Sequence, residues 1–96
     1  MMVDVFIEIG NTDDKLGQKD WAMFCQDVRN VVFDFQTRIF GQYYSHTDSV
    51  WQNACFHFSI EESALEHLKE NLAVIAGRYK QDSIALTTGV TRFVKP

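Results

Sequence analysis

Cys55 and His57, two residues apart in "WQNACFHF", are the pair whose types best suit chemistry, because an imidazole can take a thiol proton and leave a nucleophilic thiolate. In an extended chain they share a face with β-carbons about 7 Å apart. A reactive cysteine also needs a lowered pKa and a site for an oxyanion, neither of which a sequence shows. The pair reads as packing, and the chain is expected not to be an enzyme.

The second candidate is the polar stretch "NTDDKLG", residues 11–17. Its carboxylates, Asp13 and Asp14, could hold a cation. Calcium loops, however, need a glycine at the sixth position and a glutamate at the twelfth, and counting from Asn11 puts Gly17 seventh and Ala22 twelfth. A phosphate loop fails as well, since no G-K-[ST] follows in "GNTDDKLGQ". What remains is either a turn in which Asn, Asp and Thr bond their own backbone, or a contact surface in which Asn11, Asp13, Asp14 and Lys15 meet a polar ligand or a partner's basic groups. His46, His57 and His67 are spaced by 11 and 10 residues and make no zinc pattern with Cys25 or Cys55. Neither a metal nor a cofactor is expected.

The elements that must position these residues follow from periodicity. Over residues 3–9, Val3, Val5, Ile7 and Ile9 alternate with Asp4, Phe6 and Glu8, the period of a half-buried strand. From about 18 to 35, Trp21, Phe24, Cys25, Val28, Val31, Val32 and Phe35 recur at helical spacing. "TRIFGQYYSH" and "SVWQNACFHFSI" then read as a hairpin turning at residues 46–49. Its second run carries Ala54, Phe56, Phe58 and Ile60 on one face, and Trp51, Asn53, Cys55, His57 and Ser59 on the other. Ser59 and Glu62 match a capping box, and Leu65, Leu68, Leu72, Ile75 and Tyr79 mark a second helix. "DSIALTTGVTRFV" closes the chain with a strand through Leu86 and a break at Gly89.

The order β-α-β-β-α-β predicts an α+β domain: a ferredoxin-like plait with a four-stranded antiparallel sheet and two helices on one face. The second sheet face is then open. On it should lie Phe6, Trp51, Cys55 and His57, joined by either Phe40 and Tyr44 or Ile39 and Tyr43. So large an apolar patch usually marks an interface, and a twofold homodimer is the simplest cover. In the same topology the segment 78–83 is expected at the end opposite the 11–17 loop, which separates the two as sites.

Ninety-six residues form one domain, 1–96. With 46% hydrophobic residues, eight Phe, two Trp and three Tyr, the chain can fill a core without disulfides. A formal charge of −4 argues against nucleic acid and anionic membrane as partners. RNA-recognition domains of this topology stack bases on sheet aromatics, but "WQNACFHF" lacks the basic residue and glycine that open their third-strand motif. The start "MMVDVFIEIG" has no basic region before an apolar run, and the two cysteines fall in no paired motif. A cytoplasmic location is expected.

At "IEIGNTDDKL", "WQNACFHF" and "QDSIALTTG" the chain resembles uncharacterised short open reading frames of actinobacteria and their phages. The resemblance implies no catalytic residues. It implies an accessory role, such as an inhibitor that binds a host protein. The expected function is therefore a non-enzymatic interaction protein, with a small-ligand-binding regulatory domain, its site at the first strand-helix loop, as the alternative.

Overall fold

The computed structural model describes residues 1–96. Strand β1 (Met2–Gly10) is followed by helix α1 (Gln18–Phe35), the hairpin strands β2 (Arg38–Tyr44) and β3 (Asn53–Glu61), helix α2 (Leu65–Arg78) and strand β4 (Ala85–Gly89). The sheet order is β2-β3-β1-β4, with every neighbouring pair antiparallel. This is the ferredoxin-like plait, and α1 spans the residues its periodicity predicts.

Register explains how the apolar strand residues meet. Val5 pairs with Phe58 and Ile7 with Phe56, so the alternating side chains of the two central strands fall together on the helix side, where all four are buried. Trp21, Phe24, Val28 and Val32 from α1, and Leu68, Leu72 and Ile75 from α2, complete the core. The helices are also tied to each other: Asp27 accepts from the Tyr79 hydroxyl at 2.6 Å and from Arg78 at 2.9 Å.

The expected capping box does not form. Ser59 is a buried residue inside β3, paired with Asp4 and Arg38, and the strand runs on to Glu61 before a short 3₁₀ turn, Glu62–Ala64, leads into α2. Sheet pairing on both sides holds Ser59 extended, out of reach of the helix amides. The last strand runs past its expected end at Leu86 up to the break at Gly89, and residues 90–96 have no regular structure.

The 78–83 connection lies at the same end of the molecule as the 11–17 loop, contrary to expectation. β3 finishes beside Met2, α2 carries the chain back along the sheet, and β4 begins with Ala85 next to Glu8 near the end of β1. The β2–β3 turn joins them, because Tyr44 pairs with Ala54 and Ala54 with Ile9. All three long connections therefore share one end.

Candidate functional site

No helix covers the second sheet face, and its residues follow from the register. One row reads Tyr43, Cys55, Glu8, Ala85; the next has Phe40 and Gly41 beside His57, Phe6 and Thr87; the third reads Arg38, Ser59, Asp4, Gly89. The middle row is an aromatic cluster. The His57 ring stacks on Phe6 with centroids 4.0 Å apart and planes 11° apart, and Phe40 lies 4.8 Å away on the other side. The Arg38 guanidinium sits 5.4 Å from the Phe40 centroid, within the range of a cation–π contact.

A bulge decides which β2 residues join. The ladder slips between Ile39 and Gly41, so Phe40 is the extra residue, and it stays on the open face together with Tyr43. The two alternatives expected from strict alternation each contribute one residue. Tyr44 is the correction: its hydroxyl accepts from Arg29 of α1 at 2.7 Å and from Gln42, which places it on the helix side. Arg29 also donates to Gln42 at 3.1 Å. Gly41 was the available signal, since an isolated glycine in a strand pattern often marks a bulge. It also leaves room: a β-carbon there would lie 2.6 Å from the Tyr43 hydroxyl.

Trp51 is a second correction. β3 begins at Asn53, and Trp51 sits in the preceding bend with no ring contact to the Phe6–His57–Phe40 cluster. Cys55 and His57 occupy adjacent rows and share no hydrogen bond, while burial, reinforced by the Glu8 carboxylate across the strand pair, pushes the Cys55 thiol up from its ordinary pKa. Burial does the same to Cys25 inside α1. Raised values keep both thiols protonated and disfavour thiolate attack. At the loop end of the face, Glu8, Tyr43, Cys55 and Ala85 help to line an open cavity of about 440 Å³.

In the 11–17 loop the four candidate residues divide. Asn11 is a buried structural pin and not a free contact: its amide donates to the Leu16 carbonyl at 2.8 Å and to Gln52 at 3.1 Å, and its carbonyl accepts from the Leu16 amide at 3.1 Å. Asp14, in the left-handed region with φ 56°, Asp13 and Lys15 are exposed. Lys15 pairs with Asp13 at 3.5 Å. Asp13 and Thr12 face Gln81, Asp82 and Ser83 across a polar cleft of about 260 Å³, formed by the two connections that the topology brings to one end. No group of three or more His, Cys, Asp or Glu residues is arranged to hold a metal ion, and no helix is long and apolar enough to cross a membrane.

The fold and the open face define a small α+β plait with an uncovered aromatic sheet. No protein-family model and no curated protein matches the sequence. Among solved structures, a DUF3240 family protein from Shewanella baltica is similar at 11% identity, with 98% of this chain and 94% of that one covered and a TM-score of 0.55. A de novo designed protein, Foldit4, is 11% identical over 95% of this chain and 97% of its own, with a TM-score of 0.57. A dimeric ferredoxin-like protein from an uncultured marine organism is 8% identical over 99% and 92%, at a TM-score of 0.46. At these identities the likeness to the first two is one of fold alone.

Proposed function

We propose that this chain is a non-enzymatic interaction protein that works as a homodimer closed through its open sheet face. The observation that carries the reading is the Phe6–His57–Phe40 cluster, stacked in the middle of a face that no other element covers. Tyr43 and Phe40 leave about half of their surface in water, at 54% and 45% exposure, and a second copy would remove it. The face carries charges of both signs at its margins, Asp4 and Glu8 on β1 and Arg38 on β2, around the aromatic middle row. The two raised thiol pKa values support a role without covalent chemistry.

The test is Phe40→Asp, read by sedimentation velocity. Phe40 lies on an edge-strand bulge and is half exposed, so the fold survives the change, which circular dichroism would verify. A central aromatic of an interface is worth at least about 2 kcal/mol, so the dimer should weaken at least about 30-fold. A variant that dimerises as tightly as the wild type refutes this interface.

The exposed Asp13, Asp14 and Lys15 are the natural contact for a further partner, and a host protein, implied by the resemblance to phage reading frames, belongs to the same proposal. The cleft between Asp13 and residues 81–83 favours one second reading, a regulatory domain for a small polar ligand. A raised melting temperature with one member of a metabolite panel would support it, and no shift across the panel would count against it.

A further inference from the structure

The last seven residues, "VTRFVKP", leave β4 with apolar side chains that nothing in their own domain covers. Phe93 is 85% exposed and Val94 97%, although aromatic and β-branched residues of this kind normally pack. The segment is rooted on the open-face side. Thr91 donates its hydroxyl to Asp4, which belongs to that face, and Val90 and Thr91 border a small crevice with Asp4 and Phe6. Beyond that root the chain departs from the domain.

Resting on the homodimer proposed above, we infer that residues 90–96 form an arm that lies across the open sheet face of a second copy. Area points to that occupant. Four strands at about 4.8 Å spacing and seven residues at about 3.3 Å give a face of about 440 Å², whereas a stable interface buries about 800 Å² on each partner. The face alone would make a small interface, and the arm enlarges it. Phe93 adds about 150–200 Å² by itself, and Val90 and Val94 extend the gain. Charge points the same way: the arm carries Arg92 and Lys95, and the face presents the Asp4 and Glu8 carboxylates along β1. Reach is sufficient, because five residues from Thr91 span about 17 Å, most of the width of the sheet. The arm and the aromatic cluster then form one continuous interface, each copy contributing both parts.

The decisive experiment places the photo-cross-linker p-benzoylphenylalanine at position 93 of the full chain and irradiates it, beside sedimentation velocity of the wild type. The expected result is a covalent product of dimer mass whose peptides map to β1, β2 or β3, and a dimer weakened at least about tenfold by Phe93→Ser combined with Val94→Ser. A wild type that stays monomeric at about 100 µM overturns the dimer and the arm together. A dimeric wild type giving only products of monomer mass, or cross-links that map to the helices, overturns the arm and leaves the face interface standing.

Discussion

Replacing Asn11 by Ala should destabilise this protein severely although the residue sits in a loop, and the size follows from its bonds. The side chain, 3% exposed, makes three hydrogen bonds, two of them to the amide and carbonyl of Leu16 and one to Gln52. Each is worth about 1 kcal/mol net, and a buried group left without a partner costs about 1–3 kcal/mol. Gln52 can turn to water; the two Leu16 groups are held inside, where Leu16 anchors the loop to the core. The total comes to about 2–4 kcal/mol, which lowers the melting temperature by at least about 8 °C in a domain of this size. Asn11→Asp separates bonding from volume, because it keeps the shape and the acceptor but loses both donated bonds and sets a carboxylate against the Leu16 carbonyl. It should cost at least as much as alanine. Urea denaturation of both variants is the assay. A change below about 0.5 kcal/mol in either one would show that the loop is not pinned by Asn11.

Three further outcomes follow from side chains that the structure assigns. Tyr79 is pushed up to about 12 by burial first and then by its bond to Asp27; a raised value favours the protonated phenol of the folded state, so this contribution is complete below the ordinary tyrosine pKa of about 10 and is lost as pH rises toward 12. Stability followed by urea denaturation from pH 9 to 12 should fall through that window, and Tyr79→Phe should reduce the dependence to the part that the raised Cys25 and Cys55 thiols contribute; an unchanged slope would show that Tyr79 is not responsible. The same contact, with the Tyr79 hydroxyl first and Arg78 behind it, holds Asp27 below the usual carboxylate range, so its stabilisation persists through neutral pH and is lost only as acid titrates Asp27. Tyr43 and Tyr44 should behave oppositely despite being neighbours: Tyr44→Phe removes the bond to Arg29 at a cost of about 1 kcal/mol with self-association unchanged, whereas Tyr43→Asp leaves stability nearly intact and disrupts the dimer. Equal effects in sedimentation would contradict the bulge assignment.

That pair also shows where the sequence was legible and where it was not. Alternation at Val5, Ile7, Phe56 and Phe58 and the stripe from Trp21 to Phe35 follow directly from burial on one side, so the element order and the plait could be read residue by residue. The middle strand could not. A bulge changes parity without changing composition, and "RIFGQYY" alternates equally well in either register until the partner strand is known. Ser59 misled for a related reason: S-x-x-E is a local pattern, and pairing with both Asp4 and Arg38 outweighs it. The shared end of the three connections was deducible from strand direction alone, and the cleft between Asp13 and Asp82 follows from it. Asn11 stands out in the sequence by its type, yet only its neighbours in space show that every polar atom of its side chain is already engaged. The arm was invisible as an element because Phe93 and Val94 pack on nothing in their own chain.

The slip between Ile39 and Gly41 has a bearing on how these molecules can assemble. β2 is an edge strand, and an unbroken edge invites further strands to add one after another, a head-to-tail contact that has no natural stopping point. The bulge interrupts that row of amides and carbonyls in the middle, so an incoming strand finds only short stretches of matched donors and acceptors on either side of it. β4, the opposite edge, is five residues long. Growth sideways into fibres is thereby discouraged at both borders of the sheet, whereas the proposed twofold contact through the open face would be complete after two copies.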